Sequence, residues 1–256
     1  MGEASHLRYY GYYFVESKAY GSHLDEVADY TNLQWVQGTD GLRKCADIGT
    51  ECVLELRWQF FSSGTGEDEK PVSVLREDYK AQWRLLADAV APDIDSIAAF
   101  YMLDEPYWRG ASKPDLDTAI ETVKADFPDT PVMVVFARPS LTDELLVPEG
   151  ADWVGFDLYG PISDVAQYMR LLKSRLHAHQ KLFLVPQTLI NKAAPTDEAL
   201  AALNEEYYDL ASSEPLVIGL LNFGLWTGAQ PGDIPETIRT QREIGMRIRS
   251  AEREDE

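Results

Sequence analysis

The chain has 256 residues, 45% hydrophobic and 11% aromatic, enough to bury one large core and too apolar for a disordered polymer. Its 43 acidic and 23 basic residues leave a formal charge of −20. That balance opposes binding to nucleic acid or to an anionic membrane, which need a positive surface, and suits a neutral or cationic ligand.

In chain order, the N-terminal Met1-Gly2-Glu3-Ala4-Ser5-His6 is polar and lacks the apolar segment of a secretion signal. No run approaches the ~20 apolar residues of a membrane helix. The expectation is a soluble protein, either cytoplasmic or the processed form of a secreted one. Strand-forming runs fall at 8–15, 33–37, 52–59, 97–103, 132–137, 153–158, 182–185 and 217–222. Helical patterns fall between them, at 23–30, 74–90, 116–127, 162–177, 197–211 and 235–248. The first follows Ser22, a good N-cap, and carries Asp25 and Glu26 in its first turn. The second places Leu75, Tyr79, Trp83, Leu86 and Val90 close to the 3.6-residue period. A further short pattern at 140–146 predicts a weak helix. The segment Ser62 to Pro71 is the one low-complexity stretch and reads as an exposed loop, with a mobile rim as the alternative. Cys45 and Cys52 match neither a metal-ligand pattern nor a disulfide framework and read as two buried thiols.

Strand alternating with helix predicts a parallel sheet, and eight such units in about 250 residues predict an α/β fold of the closed (β/α)8 TIM-barrel type, one domain over 1–256. A doubly wound open sheet is the alternative, but its Gly-x-Gly-x-x-Gly turn is absent after the first strand.

Such barrels carry chemistry at the C-terminal ends of their strands. The ends hold Glu16, then Gln37 and Asp40, Arg57 with Trp58 and Gln59, Asp104 and Glu105 with Tyr107 and Trp108, and Arg138. They continue with Asp157 and Tyr159, Gln187 and Thr188, and Asn222 with Trp226. Amides and carboxylates bond hydroxyl groups, and aromatic faces pack on the C–H face of a sugar. The run Ala98 to Trp108 is the most pointed, because an apolar strand stops at two adjacent acids, a proline and two aromatics. A carboxyl half out of water there can keep a proton near neutral pH, although the same acids also suit a helix cap. Period-2 alternation places Tyr12, Phe14 and Glu16 on one face, and Ala99, Tyr101, Leu103 and Glu105 on another, with Asp104 opposite. It also groups Gly155, Asp157 and Tyr159. With those faces inward, Glu16, Glu105 and Asp157 converge on one pocket and Asp104 supports the turn. His177 and His179 fall at a helix end and read as surface histidines, so no metal site is expected.

Asp104-Glu105-Pro106 resembles the Asn-Glu-Pro signature of the clan A glycoside hydrolases, in which the Glu is the general acid/base. Asp152 to Tyr159 resembles their sixth strand, whose Tyr bonds the nucleophile, Lys181 to Thr188 their seventh, and Trp226 their aromatic platform. The chain departs from the pattern twice, with Asp104 in place of Asn and Gln187 where the nucleophilic Glu stands. A Gln can neither attack an anomeric carbon nor hold the charge that stabilises an oxocarbenium ion. Either the second carboxylate has moved to Asp157, or to Glu16 or Glu55, or the barrel binds glycans without cleaving them, or Gln187 is an inactivating substitution. The first implies a glycoside hydrolase needing no cofactor, with a carbohydrate as its partner. Glu105 is then the general acid/base and Asp157 the nucleophile or water-activating base, oriented by Tyr159. Trp58, Trp108 and Trp226 stack on sugar rings, Arg57, Gln187 and Asn222 bond hydroxyls, and Glu16, Asp104 and Tyr107 complete the lining. Carboxyls about 5–5.5 Å apart would retain the anomeric configuration, and roughly 6.5–9.5 Å would invert it.

Overall fold

The computed structural model describes residues 6–65 and 71–255. Eight parallel strands form the barrel: β1 (Tyr9–Ser17), β2 (Leu33–Val36), β3 (Glu51–Glu55), β4 (Ile97–Asp104), β5 (Val132–Ala137), β6 (Trp153–Asp157), β7 (Lys181–Val185) and β8 (Val217–Asn222). Each pairs with the next, and β8 pairs back onto β1 from Gly219↔Tyr9 to Asn222↔Tyr12, closing the cylinder. The helices are α1 (Leu24–Val27), α2 (Gly38–Ile48), α3 (Arg57–Phe60), α4 (Tyr79–Val90), α5 (Lys113–Asp126), α6 (Ile162–Lys173), α7 (Asp197–Ser213) and α8 (Pro235–Asp255). This is the (β/α)8 TIM barrel that the alternation predicts. Among the described residues, no helix is long and apolar enough to cross a membrane.

The barrel has two apolar layers. Tyr9, Leu33, Val53, Ala99, Met133 and Phe183 belong to the layer inside the barrel. Leu54, Phe100, Val134, Phe156, Leu182 and Leu220 belong to the larger layer between strands and helices. Gly11 has no room for a side chain, since a Cβ there would lie 1.7 Å from the Leu33 carbonyl oxygen. Ser112 starts α5 by accepting a hydrogen bond from the Asp115 amide, and Thr196 starts α7 in the same way through Ala199.

Several local expectations need correction. The strand expected over 52–59 ends at Glu55, and the chain turns into α3. The 62–71 stretch is no simple loop, because Phe61–Thr65 and Pro71–Leu75 pair as an antiparallel hairpin, while 66–70 lie outside the described residues. That pairing removes 74–78 from the helix expected over 74–90, and α4 begins at Tyr79. The helix expected over 23–30 shrinks to Leu24–Val27 with His23 rather than Ser22 at its cap. No helix forms over 140–146, where only a 3-10 turn, Arg138–Ser140, precedes irregular chain. Gly49 ends α2 in the left-handed conformation.

Strand parity breaks at two places that matter for function. The pairing of β1 with β2 slips between Tyr12 and Glu16, and Phe14 has φ +61°. Tyr12 faces outward by regular alternation, its hydroxyl donating to Gln241 at 2.9 Å, and the break brings both Tyr13 and Phe14 to the barrel interior. The pairing of β4 with β5 slips between Tyr101 and Leu103. Met102 and Leu103 join the outer layer, and Tyr101 the inner one.

Candidate active site

At the C-terminal end of the barrel lies a cavity of ≈ 340 Å³. Tyr13, Phe14, Trp35, Tyr101, Tyr159 and Phe223 give it aromatic walls, and Glu55, Asp104, Glu105 and Asp157 bring four carboxyl groups into it. β3 supplies Glu55, β4 supplies Asp104 and delivers Glu105 just past its end, and β6 supplies Asp157. The second parity break turns Asp104 inward, and a left-handed φ of +51° turns Glu105 inward after it. A non-glycine residue is held in that region only when its surroundings over-determine it. Here the Glu105 amide donates to Val135 and its carbonyl accepts from the Arg109 amide, both at 2.9 Å. The hairpin braces the same turn, with the Ser73 amide donating to the Arg109 carbonyl.

The Glu105 and Asp157 carboxyls are in hydrogen-bond contact. Burial first, and then the neighbouring Asp104 and Glu105 charges, push Asp157 from 3.8 up to about 8. At about 8, Asp157 keeps its proton at neutral pH and faces Glu105 with it. The Tyr159 hydroxyl donates to Asp157 at 3.4 Å, and its ring stacks on Phe223 at 5.5 Å. On the other side, Arg109 lies 3.1 Å from Glu105 and 3.5 Å from Asp104. That cation pairs with both carboxyls and favours the ionised form of Asp104. Asp104 also accepts from Tyr101 at 2.6 Å, and Tyr101 in turn lies 3.0 Å from the Tyr13 hydroxyl. The Asp104 side chain keeps 37% of its surface open to the cavity, yet protein surrounds that hollow, and this burial raises its pKa. Glu55 accepts from the Gln37 amide at 2.7 Å and is likewise raised by burial.

Of the residues singled out from sequence, Glu105, Asp157, Asp104, Tyr159, Arg57 and Trp58 line the cavity. Arg57 donates to Ser63 at 2.6 Å and lies over the Trp58 ring, which is 54% exposed at the rim. Trp108 is 41% exposed and lines an adjoining groove of ≈ 480 Å³, whose walls also include Glu105, Asp157 and Tyr159. Five residues lie elsewhere. Glu16 follows the bulge in β1 and is buried against Lys44 at 2.7 Å and Ser22. Tyr107 packs on Phe136 and donates to the Leu146 carbonyl at 2.6 Å. Gln187 is 0% exposed, its amide donating to the Leu189 carbonyl and accepting from Asn191. Asn222 points outward, bonding the Gly11 carbonyl and Gln241. Trp226 is sandwiched between His23, stacked at 4.4 Å, and Tyr12, and its indole donates to Glu26. β7 thus offers Val185 to the cavity and no acid.

Sequence reasoning missed Arg109, Tyr13, Trp35 and Phe223. Arg109 stands four residues after Glu105, and only recognition of a helical turn at 105–109 would have paired them. Among the described residues, no group of three or more His, Cys, Asp or Glu side chains is arranged to hold a metal ion.

No family model matches the chain, and no curated protein matches it. Solved structures do. A GH2 β-galacturonidase from Eisenbergiella tayi, bound to galacturonate, superposes with a TM-score of 0.64 at 14% identity over 94% of this chain and 51% of its own. A Bacteroides uniformis β-glucuronidase gives 0.59 at 14% identity, over 87% of this chain and 31% of that one. A psychrophilic family 10 endo-β-1,4-xylanase gives 0.54 at 12% identity, covering 85% and 86%. The chain spans less than half of a Ruminococcus gnavus β-glucuronidase, 43% of its length. At such identities the likeness establishes the TIM-barrel fold and nothing finer.

Proposed function

We propose that the protein hydrolyses a glycosidic bond, with Asp157 and Glu105 as the working carboxyls. The observation that supports this is the facing pair Asp157 and Glu105, with Asp157 raised to about 8 by burial and its acidic neighbours, inside an aromatic-walled cavity at the C-terminal mouth of the barrel. Glycoside hydrolysis needs one protonated carboxyl at the leaving oxygen and one ionised carboxylate facing the sugar. The motif alone assigns the proton to Glu105. The surroundings favour the reverse division, because burial holds the proton on Asp157 while the Arg109 guanidinium pairs with Glu105. Asp157 then protonates the leaving oxygen, and Glu105 stabilises the developing positive charge or activates water. The two carboxyls face each other directly, so the sugar must part them as it enters. Each has a partner to turn to, Arg109 for Glu105 and Tyr159 for Asp157.

A second reading, a barrel that binds a glycan without cleaving it, is favoured by that same contact and by the absence of an acid from β7 in the cavity. Turnover of aryl glycosides and polysaccharides separates the two. Hydrolysis that falls by about 10²-fold or more in both Glu105→Gln and Asp157→Asn, with ligand-induced thermal stabilisation retained, supports cleavage. Stabilisation by a glycan with no turnover in the unaltered protein supports the binding barrel.

A further inference from the structure

Four carboxyl groups share the cavity with two guanidinium groups, and both cations are engaged. Arg109 lies between Asp104 and Glu105, and Arg57 is tied to Ser63 with its plane over Trp58. Glu55 takes its 2.7 Å hydrogen bond from a neutral amide, that of Gln37, with the Arg57 charge and the Trp58 side chain nearby. The remaining wall is aromatic, and aromatic faces attract cations electrostatically. The Trp35 indole N–H is buried without a hydrogen-bond partner, and Trp35 lines the cavity, so a donor is available for a ligand oxygen. Carboxylates and rings that converge without metal-ligand geometry describe a site for an organic cation. With Asp157 protonated, three carboxyls face two guanidinium groups, and a sugar acid, such as the galacturonate bound in the Eisenbergiella tayi structure, would add to that excess of negative charge.

We infer that the cavity takes a sugar bearing a protonated amine, a 2-amino-2-deoxyhexose unit, in preference to its N-acetylated or uronic acid counterparts. The inference rests on the reading of this cavity as a carbohydrate site. The ammonium group lies toward Glu55 and Asp104 and against the aromatic wall, and the ring hydroxyls meet the Trp35 indole and the Asp157–Glu105 pair. An N-acetyl group removes the charge the carboxylates would meet, and a uronate reverses it.

Calorimetry with tetramers of glucosamine, galactosamine, N-acetylglucosamine and galacturonate tests this on the intact chain. At low salt a free-amine tetramer binds about tenfold or more tightly than the N-acetylated and uronate tetramers, and added salt narrows that gap. Glu55→Gln, which keeps an acceptor for Gln37, lowers amine affinity by roughly three- to tenfold and lowers N-acetylglucosamine affinity by clearly less. Equal or tighter binding of an N-acetylated or uronate tetramer overturns the inference, as does a salt-independent preference or no binding by any tetramer. Hydrolysis of neutral glycans without amine preference would retain the hydrolase reading and remove this one. Amine-selective binding without turnover would do the opposite.

Discussion

The carboxyl groups of Glu105 and Asp157, delivered by β4 and β6 with β5 between them, meet in hydrogen-bond contact within the cavity. Neither position is remarkable in its own strand. Their meeting follows from the slipped pairing of β4 with β5 and from the left-handed conformation of Glu105. The carboxyl contact therefore depends on backbone geometry that a regular strand would not supply.

Asp157 makes stability pH-dependent with a definite sign. Its pKa rises from 3.8 to about 8 on folding, with Asp104, Glu105, Tyr159 and Arg109 around it. The folded protein thus keeps a proton that the unfolded chain releases. The resulting stabilisation is complete below the unfolded value and is lost as pH rises through about 8. Asp157→Asn carries no such charge, so its melting temperature relative to the unaltered protein should climb between pH 5 and pH 9. The expected gain from pH 5 to pH 9 is at most about 4 kcal/mol, or roughly 8–16 °C. Calorimetric scans at the two pH values check it.

Trp58 and Trp226 should behave oppositely. Trp226 is buried between His23 and Tyr12, so Trp226→Ala should cost about 3–5 kcal/mol of stability. Trp58 stands exposed at the cavity rim, so Trp58→Ala should leave the denaturation midpoint nearly unchanged and weaken glycan affinity by roughly tenfold. Denaturant titration and calorimetry on both variants separate these effects.

Glu16 should be structural. It is buried against Lys44 and Ser22 and lies outside the cavity. Lys44→Met leaves that carboxylate without its cation and should destabilise the protein by about 1–3 kcal/mol, while turnover per folded molecule is unchanged. Denaturation together with active-site-normalised rates provides the check.

Gly11 should not tolerate even alanine. A Cβ at 1.7 Å from the Leu33 carbonyl oxygen forces β1 and β2 apart, and both carry residues into the barrel. Gly11→Ala should lose at least about 3 kcal/mol or fail to fold, measured by circular dichroism on heating.

The barrel itself was legible because eight apolar runs alternate with helical periods, a signal repeated along the whole chain. Asp157, Tyr159 and Trp58 were legible because they sit at or near strand ends. Glu16 was misplaced because period 2 was carried through a bulge, and Asp104 was turned outward for the same reason at the second slip. Nothing local announces a bulge at Tyr13-Phe14. Trp226 and Asn222 have the chemistry of a sugar site, but the contacts that bury them come from Glu26, His23 and Gln241, far away in sequence. Gln187 follows a strand and still faces the loop backbone, since its amide is satisfied there by Leu189 and Asn191.

Titration of the Asp157 side-chain carboxyl by carbon-13 NMR, in the unaltered protein and in Glu105→Gln, tests the proton held on Asp157 most directly. A midpoint near 8 that moves down by roughly one unit or more once the Glu105 charge is removed is the expected result. A midpoint near 3.8 in the unaltered protein, or one indifferent to Glu105, would contradict it.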